Sequence, residues 1–201
     1  MIINGNGTQE QRLAKRLQDG DRTAAREFYS LYADSLAGVC ARYITHEEDL
    51  KDVFQNALVN IFSHITDFEY KGIGSLQAWA TKVVVNESLK FLRKKGRREL
   101  LQQDIGTNAP ERLMIYTSEE TEEDFPSIRD IPPEIIRQML CQLPTGYRTV
   151  LNLYVFEGKT HQEIAHLLGI KESSSASQLH RARNLLAKMV RKFNNEKLPR
   201  Q

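Results

Sequence analysis

One segment near the carboxyl end, residues 159–183, constrains the fold more than any other, because it describes two short helices joined by a glycine turn. The apolar residues before the turn recur at helical spacing on one face: Ile164, Leu167 and Leu168. Gly169 can adopt the positive φ that ends a helix, and Ile170 can fill the corner between the two helices. The segment therefore predicts a helix-turn-helix.

The second helix of this segment has two contrasting faces. One face is expected to be buried and carries Ser175, Leu179, Ala182 and Leu186. The other face carries short or hydrogen-bonding side chains: Ser173, Ser177, His180 and Arg181. Such a face suits the major groove of DNA, where base edges are read by hydrogen bonds. The alternative is an ordinary helical hairpin with a solvated face, but the glycine corner and the basic residues after it favour DNA binding.

Charge is segregated along the chain, although the formal net charge of the 201 residues is only +2. Basic residues crowd together at one place: Lys90, Arg93, Lys94, Lys95, Arg97 and Arg98. Acidic residues form a run at another: Glu119, Glu120, Glu122, Glu123 and Asp124. These local patches, rather than the net charge, indicate where partners bind.

The sequence begins without the basic start and apolar core of a signal peptide, and no stretch is long and apolar enough to span a bilayer. We therefore expect a cytoplasmic protein without membrane insertion. Cys40 and Cys141 are separated by an expected domain boundary and lack the spacing of metal ligands. We expect both to be buried small hydrophobes without a disulfide.

Alternating strand patterns are nearly absent, and Gly and Pro are scarce inside the long periodic segments, so the chain is predicted to be all-α. Two helical domains are expected, joined by an acidic, proline-containing linker, with the helix-turn-helix in the second domain. The expected bounds are 1–98, 99–133 for the linker, and 134–201. The first domain is expected to hold about four helices around a core of Leu31, Val39, Tyr43, Leu50, Phe54, Leu58, Ile61 and Phe62.

A mixed stripe runs along the helix predicted between residues 76 and 95. It consists of Trp79, Val83, Asn86, Lys90 and Arg93, with Lys82 beside it. Cations contact phosphates, an amide can hydrogen-bond a base edge, and an indole can stack on an unpaired base, so the stripe fits single-stranded DNA. Alternatively, Trp79 belongs to the core and the basic residues stabilise the end of the helix dipole. The stripe alone does not decide between these interpretations.

His161, Glu163 and His166 lie close together in the sequence, as the ligands of a metal-dependent enzyme could. Histidines five residues apart on a helix are rotated by roughly 140°, so the pair lacks the geometry of a metalloprotease site. Glu163 and His166 form one Glu-x-x-His pair, whereas a di-iron bundle needs two. We therefore expect no enzymatic activity, no bound metal and no cofactor.

Two segments of the first half resemble the extracytoplasmic-function (ECF) class of bacterial sigma factors, the exchangeable RNA polymerase subunits that recognise promoters. Residues 52–62 are similar to the helix that docks on core polymerase, and the implied contacts are Asp52, Gln55, Asn56 and Phe62. Asn56 stands where the family commonly has an acidic residue. Residues 75–86 resemble the strand-opening segment, preceded by the loop that captures a flipped base. The implied −10 contacts are Tyr70, Lys71, Gly72, Ile73, Trp79, Lys82, Asn86, Lys90 and Arg93.

The second half is similar to the promoter-binding domain of the same family. The matching motifs are Leu143–Pro144, Arg148, Glu157–Gly158, Glu163–Ala165 and Leu168–Ile170. The resemblance implies −35 contacts by Ser173, Ser174, Ser177, His180, Arg181 and Arg183. Lys171 departs from the family, which commonly has a capping Ser there. A cap at Ser173 or Ser174, with a later start of the helix, is therefore expected.

The resemblance implies a function in transcription initiation. The chain is expected to bind core RNA polymerase, read the −35 element of promoter DNA and open the −10 element. The linker is expected to run through polymerase channels, and an anti-sigma factor to mask both domains. Two alternative functions explain less of the sequence. An autonomous helix-turn-helix regulator would have no role for the mixed stripe, and a helical adaptor that binds only protein would have no role for the recognition helix.

Overall fold

This computed structural model describes the backbone of residues 5–102 and 126–197, and the side chains of residues 9–95 and 126–196. The chain divides into two compact units between Leu92 and Arg93. Every regular element in the described ranges is helical, which confirms the all-α prediction. None of the described helices is long and apolar enough to traverse a bilayer. The acidic run and the side chains of Arg97 and Arg98 lie outside the described residues, so the linker stays a prediction.

The described part of the first unit contains four helices, the number expected. They are α1 (Gly5–Gln18), α2 (Arg22–Tyr43), α3 (Glu47–Ser63) and α4 (Ser75–Gln102), with a 3-10 turn at Ile65–Asp67 before α4. Asp21 caps α2, because its carboxylate accepts the backbone N–H of Thr23 at 2.7 Å. Arg16 donates to the same carboxylate at 2.9 Å. The Thr23 hydroxyl also donates to it, at 2.7 Å. This hydroxyl, the Thr23 N–H and Arg16 together hold the pKa of Asp21 well below its ordinary value, and they fix the turn between α1 and α2.

The core of the first unit is formed by one stripe from each helix. Its fully buried residues include Phe28, Leu36, Cys40, Tyr43, Ile61, Leu76 and Val84. The expected burial is confirmed for Tyr43 and Ile61, and it is partial for Val39, Leu50, Phe54, Leu58 and Phe62. The expectation for Leu31 is wrong, because this side chain is 55% exposed. Leu31 lies off the stripe that runs through Phe28, Leu36 and Tyr43, so the helical twist carries it away from the core.

The second unit also contains four helices in its described part. They are α5 (Pro133–Gln142), α6 (Thr145–Val155), α7 (His161–Leu168) and α8 (Glu172–Lys197). Arg148 is buried, and its Nη1 donates to the carbonyls of Leu143 at 2.8 Å and Cys141 at 3.3 Å. Burial lowers the pKa of this guanidinium. The arginine therefore closes the turn from α5 to α6, where it satisfies carbonyls that the end of α5 leaves unpaired.

Candidate nucleic-acid and polymerase interfaces

The predicted helix-turn-helix is present as α7, a turn at Gly169 and α8. Thr160 and Glu163 form a capping box at the start of α7: Thr160 Oγ1 accepts the Glu163 N–H at 3.2 Å, and the Glu163 carboxylate accepts the Thr160 N–H at 2.9 Å. Gly169 is left-handed, with φ of 68°, and the Ile170 N–H returns to the carbonyl of Ala165 at 3.1 Å. Glu163 is therefore occupied in capping the start of α7.

The start of α8 corrects the expectation of a cap at Ser173 or Ser174. The helix begins at Glu172, so both serines already lie in its first turn. The Ser175 N–H donates to the carbonyl of Lys171 at 3.1 Å, which is the first bond of the helix. Lys171 thus supplies the carbonyl that a cap residue supplies, and Glu172 places a negative charge at the positive end of the dipole. The helix therefore starts before both serines, not later as expected.

The exposed side of α8 brings together most of the residues expected to read the −35 element. We call Ser173, Ser177, His180 and Arg181, all exposed, the recognition face. Ser174 is half-buried at its edge. The opposite side is buried as predicted at Ser175, Leu179 and Ala182, each at 5% exposure or less, and Leu186 is half-buried. Asn184 extends the recognition face, because its amide donates to His180 Nε2 at 3.1 Å; sequence reasoning missed this residue although it lies four positions after His180.

Arg183 lies apart from the recognition face. Its guanidinium carbon is 5.9 Å from the ring centroid of Tyr154, a cation–π distance, and the residue is half-buried. The same ring stacks on His161, with 5.0 Å between the centroids. The structure therefore places Arg183 at the flank of α8, beside α6.

His161 joins three helices of the second unit. Its Nδ1 lies 2.9 Å from the hydroxyl of Ser175, which is fully buried on α8. Because the imidazole also stacks on Tyr154 of α6, this one side chain connects α6, α7 and α8. Sequence reasoning weighed His161 only as a metal ligand, and its spacing carries no signal for a contact 14 residues away.

The side chains of the mixed stripe become more exposed towards the carboxyl end of α4. Trp79 and Val83 are half-buried, whereas Asn86, Lys90 and Arg93 are exposed, as is neighbouring Lys82. The Trp79 ring packs at a tilt against Phe68, with 5.5 Å between the centroids. Trp79 therefore combines a core contact with accessible surface.

The loop at residues 70–74, which we call the −10 loop, projects its middle into solvent. Ile73 is 60% exposed, Lys71 is exposed and Tyr70 is half-buried. Gly72 and Gly74 have φ of 119° and 82°, values that residues with a side chain rarely adopt. The Lys71 N–H donates to the Ser75 hydroxyl at 3.2 Å, which ties the loop to the first residue of α4.

Three of the four expected polymerase-contacting residues share an exposed face of α3. Asp52, Gln55 and Asn56 are exposed, and Val59, which sequence reasoning missed, extends their face at 57% exposure. We call these four residues the docking face. Phe62 is only half-buried by an edge-on contact with Phe28, 5.6 Å between the centroids. Phe62 therefore lies between the docking face and the core.

Family models match both units of the chain. A model described as "Sigma-70 region 2" matches residues 28–98, and one described as "Sigma-70, region 4" matches residues 134–186. Together these matches cover more than half of the sequence. The first contains the docking face, the −10 loop and the mixed stripe, and the second contains the helix-turn-helix.

Curated relatives align with the chain over almost its whole length. An ECF RNA polymerase sigma-E factor of Haemophilus influenzae is 25% identical over 195 residues, covering 90% of this chain and 95% of that relative. The RNA polymerase sigma-H factor of Pseudomonas aeruginosa is 25% identical over 193 residues, covering 94% and 97%. The ECF sigma factor SigW of Bacillus subtilis is 24% identical over 180 residues, covering 88% and 94%.

Among solved structures, CnrH in complex with the cytosolic domain of CnrY matches 90% of this chain and 96% of that chain, with 19% identity and a TM-score of 0.46. The family assignment rests on the sequence matches, because the two region models match separate parts of the chain and the relatives align across both. The chain belongs to the extracytoplasmic-function class of the sigma-70 family, the RNA polymerase subunits that direct promoter recognition.

Proposed function

We propose that this chain carries core RNA polymerase to a specific set of promoters, reads the −35 element as duplex and opens the −10 element, without performing bond-making chemistry itself. The observation that carries the proposal is the presence of two separate polar surfaces, the mixed stripe and the recognition face, on helices that two sigma-70 regions match. One surface carries an indole and cations, which suit unpaired DNA. The other is a helix-turn-helix, which suits duplex DNA.

The docking face on α3 is the proposed contact with core polymerase. Asp52 supplies a negative charge, Gln55 and Asn56 supply amides, and Val59 supplies an exposed apolar side chain close to them. An apolar contact surrounded by polar groups is the usual composition of a protein interface. Phe62 supports this face through its contact with Phe28 and touches polymerase with its exposed part.

Opening of the −10 element is assigned to α4 and the −10 loop. Lys82, Lys90 and Arg93 are exposed and would meet phosphates, whereas Asn86 would meet a base edge. The accessible part of Trp79 would stack on an unpaired base, and the loop residues Tyr70, Lys71, Gly72 and Ile73 would enclose a flipped one. Unstacking costs a few kcal/mol per base, and each stacking contact returns about 1 to 3 kcal/mol. Several such contacts are therefore needed to drive opening.

Reading of the −35 element is assigned to the recognition face. Arg181 and His180 carry donors that can reach base edges, and Ser177 can hydrogen-bond either a base or a phosphate. Ser173 and Ser174 lie in the first turn of α8, where backbone N–H groups favour a phosphate. Arg183, held beside Tyr154, would contact the DNA backbone from the flank.

The remaining assignments rest on the family resemblance. We propose that the chain acts in the cytoplasm, that residues 99–133 form the linker, and that an anti-sigma factor covers both units. Such a factor would compete with core polymerase for the docking face. An excess of core polymerase should therefore displace it.

Reconstitution tests the proposed function. The purified chain is combined with core polymerase on a library of promoter fragments, and transcripts are sequenced. Specific initiation should require both components, and the chain alone should bind duplex DNA poorly. Tight, sequence-specific binding by the free chain, without association with polymerase, would instead identify an autonomous regulator.

A further inference from the structure

The −10 loop is anchored at both ends by α1, a helix that lies outside the segment matched by the region 2 model. At the carboxyl end of the loop, the Glu10 carboxylate accepts the backbone N–H groups of Gly74 at 2.6 Å and Leu76 at 2.7 Å. Before the loop, the Gln18 amide donates to the carbonyls of Phe68 at 2.8 Å and Ile65 at 3.2 Å. Two side chains of one helix thus make four hydrogen bonds to the backbone at and near the two ends of the loop.

Glu10 acts as the cap of α4 from a different helix. The first turn of α4 contains no acidic residue, and the Ser75 hydroxyl receives the Lys71 N–H of the loop. The buried N–H of Leu76 is satisfied by Glu10 instead, which is itself only 8% exposed. A carboxylate at the positive end of a helix is favoured by the dipole, and hydrogen bonds to a charged acceptor are stronger than neutral ones. The start of α4 and the end of the loop are therefore firmly placed.

The two anchors are part of a rigid support. Glu10 and Gln18 are eight residues apart on α1, a rise of about 12 Å. Between them, Leu13, Ala14 and Leu17 are buried in the core of the first unit, so α1 cannot shift without exposing apolar surface. The loop between the anchors keeps Lys71 and Ile73 exposed. Its ends are fixed while its middle is available to a ligand.

We propose that Glu10 and Gln18 are positioning residues that hold the −10 loop in the conformation that captures an unpaired base. This inference rests on the proposed function, because it takes the loop as a contact with the −10 element. A loop that is ordered before binding spares the complex the cost of ordering it. When only a fraction of the molecules has the competent loop, the apparent Kd for DNA rises by the inverse of that fraction.

The test measures affinity for unpaired DNA in the complete holoenzyme. The probe is a fluorescein-labelled single-stranded oligonucleotide with the nontemplate −10 sequence of a promoter selected from a random library. Glu10→Gln keeps the shape of the side chain but can accept only one of the two N–H bonds, and Gln18→Ala removes the other anchor. We expect Kd to rise about tenfold for Glu10→Gln and about threefold for Gln18→Ala. The exposed neighbour Gln11→Ala should leave Kd unchanged, and all three variants should bind a −35 duplex normally.

A double-mutant cycle separates positioning from general destabilisation. Ile73→Ala removes an exposed loop side chain whose residue takes part in none of the anchor hydrogen bonds, and it should itself weaken binding of the oligonucleotide. If Glu10 acts through the loop, Glu10→Gln should lose most of its effect in the Ile73→Ala background. Fully additive losses would overturn the positioning role. Because Gln18 lies at the opposite end of the loop, its variant gives the same test if Glu10→Gln fails to fold.

The outcomes distinguish this inference from the proposed function. If Ile73→Ala weakens binding but neither anchor variant does, the loop binds DNA without help from α1, and only the positioning role is wrong. If none of the three variants weakens binding, the loop does not contact unpaired DNA. Both the assignment of the −10 loop and the positioning role are then overturned.

Discussion

The guanidinium of Arg181 on α8 donates a hydrogen bond to the phenol oxygen of Tyr147 on α6, 3.3 Å away. Tyr147 is buried, so this contact holds an exposed cation of the recognition face against the core of the second unit. An arginine restrained in this way has already lost part of its rotamer freedom before DNA binds. In the proposed reading of the −35 element, its planar fork would therefore pair with a guanine at a lower entropic cost.

Replacement of Arg181 by Ala should cost about 1 to 3 kcal/mol at a −35 element where it pairs with guanine. Tyr147→Phe keeps the arginine and removes only its restraint, so it should weaken binding by about 1 kcal/mol or less. Fluorescence anisotropy with a panel of −35 duplexes checks both. Lys192→Ala, an exposed change farther along α8, should weaken all sequences evenly. If Arg181→Ala discriminates between −35 sequences as well as the unchanged protein does, Arg181 does not contact a base.

A change of Asn56 to Asp should strengthen binding to core polymerase. It places a carboxylate at an exposed position of the docking face where the family commonly has one. The gain should be severalfold in Kd at low salt and should fade as the ionic strength rises. Asp52→Lys should weaken binding about tenfold or more. Biolayer interferometry with immobilised core polymerase gives both values, and Lys51→Glu, outside the docking face, is the matched control. An unchanged affinity in both variants would place the polymerase contact elsewhere.

Replacement of Trp79 or Asn86 by Ala should leave polymerase association intact and reduce opening of the promoter. The loss of one stacking contact, about 1 to 3 kcal/mol, corresponds to a defect of roughly tenfold or more for Trp79→Ala. Permanganate reactivity of unpaired thymines measures it. A promoter premelted across the −10 element should rescue much of the defect. Gln77→Ala, on the opposite side of α4, serves as the control. Variants that fold, bind polymerase and open DNA normally would show that other residues drive melting.

Acid should destabilise α7 through Glu163. Its hydrogen bonds from Thr160 and Lys159 lower its pKa below the ordinary value of 4.5. A carboxyl whose pKa is lowered by folding stabilises the fold above its ordinary pKa, and this contribution is lost as the pH falls through the folded value. Urea unfolding monitored by amide NMR signals of α7, at about pH 6 and about pH 4, should therefore change less with pH in Glu163→Gln. Equal pH dependence in the two proteins would contradict this role of the capping box.

Trp79 fluorescence shows whether the effect of Glu163→Gln is confined to the second unit. It is the only tryptophan, and it lies in the first unit, so its fluorescence reports the unfolding of that unit. Glu163→Gln should leave the transition of Trp79 fluorescence unchanged at both pH values. A shift of that transition would indicate that the substitution acts beyond α7.

Local patterns made most of the functional surfaces predictable. Leu179 and Ala182 recur on one side of α8, whereas Ser177 and Arg181 fall on the other, because a helix turns every 3.6 residues. Leu31 shows the limit of such patterns, because it lies off the stripe of Phe28, Leu36 and Tyr43 and is exposed. An apolar residue in a helix is buried only where a neighbouring helix covers it, and only the packing of the helices shows where that is.

The sequence by itself determined the order of the helices, the turn at Gly169, the recognition face and the membership of the sigma-70 family. Each depends on residues within a few positions of one another, or on motifs in a recognisable order. Only the tertiary structure decided that Glu10 holds Gly74 and Leu76, 64 and 66 positions away, and that Arg181 bonds Tyr147, 34 positions away. These contacts depend on the distance and rotation between packed helices. Local spacing carries no information about either, because the helices meet only when their apolar stripes are buried together.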